Sequence, residues 1–293
     1  MIEIRFPIDE AFAQQLEDYF CEEYQEYWSI EENRLTHENF LRGFFEDQQV
    51  LAEETASLRK EFPSLPDDPP IKELPDQDWK EAYKLHFKPW SERGLHWVPL
   101  WEKDTYQLPE GEEIVYLDPG MAFGTGNHET TRLCVRRLLD ARDEWGSAVS
   151  AKRVIDAGCG SGILAISAAK VGFTDVTGFD NDPDSVRISL ENEKLCDLDG
   201  RIDFKWADLK EGLIGQTGDL LLANILANVL CDHAELLCQS VRPGGWLVLS
   251  GILASEVKAV HAVFAPVVEN HTGTLPDMDA RIEGEWSDLC YRF

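Results

Sequence analysis

The segment VIDAGCGSGILAISAAK, residues 154–170, constrains the fold more than any other. Its apolar run ends in Asp156, glycines follow at 158, 160 and 162, and an apolar helical stretch begins at Ile163. A buried strand that turns through glycines into a helix is the opening unit of a doubly wound α/β sheet. In such sheets ligands lie beyond the carboxyl ends of the strands. The flanking runs agree. KRVIDAG, DVTGFD, RIDFKWAD, GDLLLANI and GGWLVLSGI read as strands, with ILAISAAKVG, PDSVRISLENEKLC and ANVLCDHAELLCQSV as helices among them. Strand–helix alternation calls for a parallel sheet covered on both faces. The closing EWSDLCYRF reads as a last strand.

The glycine spacing narrows the ligand. A dinucleotide fingerprint is G-x-G-x-x-G, whereas this turn is G-x-G-x-G with Asp156 just before it. A carboxylate beside the turn disfavours pyrophosphate and favours a cationic ammonium group, such as the amino end of methionine. Asp180 ends the next strand, 22 residues after Gly158, where an acid can take both hydroxyls of an unmodified ribose. Asp208 ends the third strand and could accept from an adenine amino group, directly or through water. Adenosine joined to an amino acid without phosphate points to S-adenosylmethionine. An NAD site with an off-pattern loop, and a domain without a nucleotide, are the alternatives. Asn224 closes the strand in DLLLANILANVL. It offers an amide donor and a carbonyl acceptor that could align an amine for attack, or it caps the following helix.

DPGMAFGTGNHETT, residues 118–131, is a second glycine-rich loop. It is not a phosphate loop, because no lysine occurs between Lys103 and Lys152. It opens onto the helical pattern ETTRLCVRRLLD, so it is either a ligand-binding loop at a helix N-terminus or a turn with its cap. His128 could serve as a general base, though simple loop packing accounts for it as well.

Net charge is −28, which argues against a nucleic-acid surface and is compatible with a basic protein partner. Residues 1–75 alone carry 19 acidic and 6 basic side chains. They read as a β-α-β-β-α order with a possible last strand at IKEL, a small ferredoxin-like α+β sheet. FPSLPDDPP, residues 62–70, punctuates the chain with four prolines. The expected division is an acidic domain at 1–75, a connecting helix and linker at 76–105, and a large domain at 106–293. In the connector, Trp79, Tyr83 and Phe87 make one helical stripe. Seven cysteines without a C-x-x-C pair or a nearby histidine cluster read as reduced thiols with no metal site. No signal peptide or membrane span is expected, so the chain reads as cytoplasmic. Nothing in it argues against a monomer.

The motifs DPGMAFGTGNHETT, DAGCGSGILAISAAK, GFDNDP, ANILA and SGILASE, in this order, resemble the ribosomal protein L-eleven methyltransferase family. The resemblance covers about residues 78–293. It implies a class I methyltransferase with a doubly wound, mostly parallel seven-stranded sheet and an N-terminal substrate-recognition domain. It further implies S-adenosylmethionine as cofactor, held at Thr131, Gly158, Asp180 and Asn224, to which the reading of the residues themselves adds Gly160, Asp156 and Asp208. The loop at Phe123, Gly124 and Thr125 would fold over it. The family methylates lysine side chains and the N-terminal amine of its basic ribosomal substrate, and Asn224 becomes the candidate catalytic residue. A class I methyltransferase of another protein or small amine, and a non-catalytic ribosome-associated module, are the other readings.

Overall fold

A computed structural model describes residues 2–22, 27–33, 38–45, 47–65, 71–73, 88–118 and 128–293. The chain divides into two compact units, residues 1–86 and 87–293. The described elements of the first are β1 (Ile2–Ile8), α1 (Glu10–Glu22), β2 (Trp28–Asn33), β3 (Glu38–Phe45), α2 (Gln48–Glu61) and β4 (Ile71–Glu73). Its four strands form an antiparallel sheet in the order β2-β3-β1-β4, the ferredoxin-like arrangement. Alternation along β1 sends Ile2, Ile4 and Phe6 into a core with Leu16, Leu41, Phe45, Leu51 and Leu58. The other face carries ion pairs, Arg42 to Glu3 at 2.7 Å and Arg5 to Glu31 at 3.3 Å. Asp47 caps α2, accepting from the backbone N–H of Gln49 and Val50.

The second unit begins with β5 (Trp90–Glu92) and β6 (Leu95–Pro99), joined by Arg93 and Gly94. Both turn residues have positive φ, as a two-residue primed hairpin turn requires. β7 (Glu113–Leu117) pairs parallel with β6. Thus residues 90–99, expected to belong to a connector, build a small sheet of the second unit. Trp97 is fully buried there, stacked on Trp90 with centroids 3.8 Å apart, and its indole N–H donates to Ser167 Oγ at 2.9 Å. The Trp79–Tyr83–Phe87 stripe lies outside the described residues.

Thereafter run α3 (Glu129–Trp145), β8 (Arg153–Ala157), α4 (Ile163–Lys170), β9 (Asp175–Asp180), α5 (Pro183–Leu195), β10 (Ile202–Trp206) and α6 (Leu209–Leu213). β11 (Gly218–Asn224), α7 (Ala227–Asp232), α8 (Ala234–Gln239), β12 (Val241–Leu253), α9 (Val257–Thr272), β13 (Asp279–Glu283) and β14 (Trp286–Arg292) complete the chain. The seven strands lie in the order β10-β9-β8-β11-β12-β14-β13. β8 to β12 are mutually parallel, and β14 runs antiparallel between β12 and β13. The order reverses between β8 and β11, which places the crevice at the carboxyl ends of those two strands.

The strands read as continuous apolar runs because both faces are covered. Val154, Leu220, Leu222 and Val248 pack with α3 and α4 on one side. Ile155, Leu221, Ala223 and Leu247 pack against the α7, α8 and α9 side. Each fully buried Leu or Val contributes about 1.5–3 kcal/mol relative to exposure. A buried ion pair ties α3 to the last hairpin: Arg137, 2% exposed, donates from Nε and Nη2 to both oxygens of fully buried Asp288, and from Nη1 to Asp279. Among the described residues no helix is long and apolar enough to cross a membrane.

Candidate active site

The strand ends and the turns after β8, β9, β10 and β11 enclose a cavity of about 730 Å³. The glycine turn after β8 forms one wall. Gly158 and Gly160 line it with φ of +75° and +52°. A side chain at 158 would also meet Ile225 Cγ2 at 2.5 Å, so glycine is required there for both conformation and space.

Four backbone donors of this turn are already committed. Gly158 N–H and Cys159 N–H both donate to the Phe179 carbonyl at 2.9 Å, and Gly162 N–H donates to the Cys159 carbonyl at 2.8 Å. Gly160 N–H donates to Asp180 Oδ2 at 2.8 Å. A phosphate-binding turn aims free amides at its anion. Here four of them are satisfied internally, one of these by the Asp180 carboxylate.

Asp180 ends β9 and lines the cavity, its other oxygen accepting from Asp182 N–H at 3.0 Å. These two backbone bonds fix the carboxylate while leaving lone pairs for a ligand's hydroxyls. Asp208 also lines the cavity, two residues beyond β10. Its Oδ1 caps α6, accepting from Glu211 N–H at 2.8 Å, so only Oδ2 has its full capacity for a ligand.

Asn224 is the last residue of β11, in register with Ser250 of β12. It lines the cavity, and its Oδ1 is buried without a hydrogen-bond partner. The capping reading does not hold, because α7 has Leu226 at its N-cap and no side-chain cap. A buried orphan acceptor costs about 1–3 kcal/mol, which marks a place where a ligand supplies the donor.

Two residues named from the sequence sit deeper. Thr131, fully buried in the first turn of α3, has an unpartnered Oγ1. Asp156, 1% exposed, accepts from Ala165 N–H at 3.0 Å through Oδ2, and its Oδ1 has no partner. Burial, with a smaller push from Asp180, raises its pKa to about 7 against the opposing Ala165 bond. Among the described residues neither side chain reaches the cavity lining. Phe123, Gly124 and Thr125 lie outside the described residues.

His128 lines the cavity as N-cap of α3, its Nδ1 2.9 Å from Thr130 Oγ1 and its ring edge-on to Trp286. That engagement accords with packing. Among the described residues no cluster of histidine, cysteine and carboxylate side chains could hold a metal ion.

The arrangement combines two fixed carboxylates, an amide acceptor, and glycine amides that are not free for phosphate. Comparison with known proteins agrees with that geometry. Residues 8–290 match the family described as ribosomal protein L11 methyltransferase (PrmA). The chain belongs to this family. It is 39% identical to the ribosomal protein L11 methyltransferase of Pelobacter propionicus, over 90% of this chain and 85% of that protein. It is 38% identical to the one of Trichlorobacter lovleyi, over 84% and 78%. A crystal structure of ribosomal protein L11 methylase from Lactobacillus delbrueckii subsp. bulgaricus superposes with a TM-score of 0.58 and 30% identity. It covers 69% of this chain and 96% of that one.

His233, Trp286 and Gly251 are among the lining residues of this PrmA-family site that the sequence reading did not single out. His233, in the short link between α7 and α8, pairs through Nδ1 with the Val229 carbonyl at 3.0 Å. Nδ1 must be the donor in that bond, because a carbonyl oxygen only accepts. Trp286 opens β14 and lines the cavity beside His128. Gly251, inside the motif SGILASE, has φ +80°, and a side chain there would land on the Ile225 carbonyl. The motif gave a signal for Gly251. For His233 and Trp286 nothing in a single sequence separates a cavity residue from a packing one.

Proposed function

We propose that the chain is an S-adenosylmethionine-dependent N-methyltransferase acting on lysine side chains and the N-terminal amine of ribosomal protein L11. Family membership supports the methyl transfer and the substrate. The observation that carries the site assignment is Asn224, which lines the same cavity as Asp180 and whose buried Oδ1 has no partner. When bound, S-adenosylmethionine supplies an electrophilic methyl on positively charged sulfur. Asp180 would hold its ribose hydroxyls, Asp208 Oδ2 its adenine amino group, and the glycine turn with the loop before α3 its amino-acid part.

The residues' work concerns the incoming amine. A lysine amine of pKa about 10.4 costs roughly 4–5 kcal/mol to deprotonate at pH 7. A carboxylate touching it would deepen that cost, whereas a neutral acceptor does not. Asn224 Oδ1 is such an acceptor. Taking one N–H of the amine, it turns the nitrogen lone pair toward the methyl and holds it there, and alignment of this kind supplies much of the rate. Ile225 and the exposed Leu226 flank Asn224 on the lining and would wall off the aliphatic stem. The amine's proton leaves to solvent before the cavity fills, so no obligate base is assigned. The acidic first unit would recognise the basic substrate, and the enzyme would act in the cytoplasm as a monomer without binding nucleic acid.

The test is transfer of a labelled methyl group to purified ribosomal proteins. Label in the L11 band alone, chased into lysine and the N-terminus by peptide mapping, is the expected result. Label in a different protein would replace the substrate. Cofactor binding without any transfer would leave a binding module.

A further inference from the structure

The cavity runs along the carboxyl edge of the large sheet, and the strand order fixes what lies beside what. Asp208 follows β10, Asp180 ends β9, Gly158 follows β8, Asn224 ends β11, Gly251 lies in β12 and Trp286 opens β14. Because β14 is antiparallel, its first residue stands at this edge. Neighbouring strands are about 4.8 Å apart. Both lining carboxylates therefore sit on one side of Asn224, Asp180 two strands away, about 10 Å across the sheet. Trp286 is two strands away on the opposite side. It pairs with Leu253, whereas Asn224 is in register with Ser250, so Trp286 is also offset outward along the strands. Between them, β12 lines the cavity with Gly251 alone, next to its register shift against β14. A φ of +80° and the Ile225 carbonyl exclude a side chain there.

Trp286 is held in place at this end. Its ring meets that of His128 edge-on, with centroids 4.9 Å apart and planes at 65°, and both half-buried rings line the cavity. The hydroxyl of fully buried Ser250 reaches the Thr130 carbonyl at 3.2 Å and the Ser287 carbonyl at 3.3 Å. It thereby ties the starts of α3 and β14 to the strand beside Asn224. Among the described residues no carboxylate lines this end. Glu129, 4.0 Å from His128 Nδ1, is not part of the lining. A cation here meets aromatic surface instead of an acid, the surroundings that suit a methylated ammonium.

The consequence rests on the N-methyltransferase reading above. In each transfer the amine lone pair forms the new N–C bond while the S–C bond breaks and its electron pair stays on sulfur. A neutral primary amine offers Asn224 Oδ1 two N–H groups, a monomethylated amine one, and a dimethylated amine none. Asn224 can therefore align the first two transfers but not a third. We propose that Trp286, backed by His128, is the specificity determinant that holds the N-methyl groups of a partly methylated amine and aligns the transfer Asn224 cannot. Before that step the rings give the methyl groups dispersion contact. After it the nitrogen has four carbons, a fixed positive charge and no proton to lose, and the same aromatic surface stabilises it. The gap that Gly251 leaves between Asn224 and Trp286 is where those methyl groups would stand.

The experiment compares methyl transfer to unmodified L11 with transfer to L11 whose amines were first dimethylated by reductive methylation, the products being counted by intact mass. The third-to-first rate ratio should fall at least about tenfold in Trp286→Leu and stay within about threefold of the unaltered protein in Trp286→Phe. In Asn224→Ala it should rise. An unchanged ratio in Trp286→Leu, equal losses in both tryptophan variants, or a fall in Asn224→Ala overturns the proposal. So does an unaltered protein that methylates unmodified L11 but never the dimethylated form. Binding supplies a readout without turnover. Calorimetry of the full chain with N-acetyl-trimethyllysine and its neutral isostere, carbon replacing the charged nitrogen, is run with S-adenosylhomocysteine present. The cation should bind at least about tenfold more tightly, a preference lost in Trp286→Leu. Equal affinities, or no binding of the cation, overturn the proposal, and this comparison decides if Trp286→Leu does not fold. Absence of transfer even to unmodified L11 sinks the N-methyltransferase reading instead.

Discussion

Replacing Asn224 with alanine separates a functional residue from a structural one. In the ligand-free protein its Oδ1 is a buried acceptor without a donor, a state that costs about 1–3 kcal/mol. Truncation removes that penalty but also removes packing atoms, a loss of roughly the same size for a small half-buried group. The two offset to within about 1 kcal/mol, which for a unit of this size is a shift of about 2–4 °C in Tm in either direction. The active site has no such offset. Loss of one positioned polar group at the reacting centre typically costs a factor of about 10²–10³, or 2.7–4 kcal/mol. The assay pairs thermal unfolding with initial rates of methyl transfer at saturating cofactor. Unchanged Tm with turnover down at least a hundredfold is expected. A Tm lowered by 10 °C or more, or a collapse in S-adenosylhomocysteine affinity with turnover intact when bound, would refute the aligning role.

Asp180→Ala should act the other way round. It removes the acceptor of Gly160 N–H and, on the proposed reading, the ribose contact, so calorimetry with S-adenosylhomocysteine should show affinity lowered about 10–100-fold. An unchanged affinity would remove Asp180 from the ribose. Arg137→Met leaves buried Asp288 without its partner and should cost about 3–5 kcal/mol in urea unfolding; a loss below 1 kcal/mol would show that the pair is dispensable. Asp156 has a folded pKa of about 7, raised by burial from an unfolded value near 4. Its contribution to stability is therefore complete below about pH 4 and lost as pH rises toward 7. Asp156→Asn should accordingly gain stability over the unaltered protein between pH 4.5 and pH 8, by up to about 3 kcal/mol. A gain that is the same at both values would contradict this.

The strands and helices around residues 153–253 were legible because each carries its own signal. Doubly buried strands are unbroken apolar runs, and Gly158, Gly160 and Gly162 sit where positive φ is needed. The hairpin at 90–99 was not legible, since its turn places Arg93, a residue with a Cβ, at φ +48° and so lacks the asparagine–glycine signature. β7 is a short strand whose register is set by a parallel partner across a connection, β6, information that no local window contains. Among candidate site residues, Asp180 and Asn224 were readable as lining residues because the carboxyl ends of parallel strands face the crevice. Asp156 was placed one layer too shallow. Spacing put it beside the turn, but the pleat turned its side chain under α4, where Ala165 N–H holds it. His233 depends on where a short helix ends, which tertiary packing decides.

The claim on which the rest stands is that the crevice admits a cationic sulfur nucleoside and no phosphorylated coenzyme. Calorimetric titration of the full chain with S-adenosylmethionine, S-adenosylhomocysteine and NADH tests it directly. Saturable binding of the first two at one site per chain, with no heat from NADH, is the predicted result. Binding of NADH with neither sulfur compound competing would contradict it.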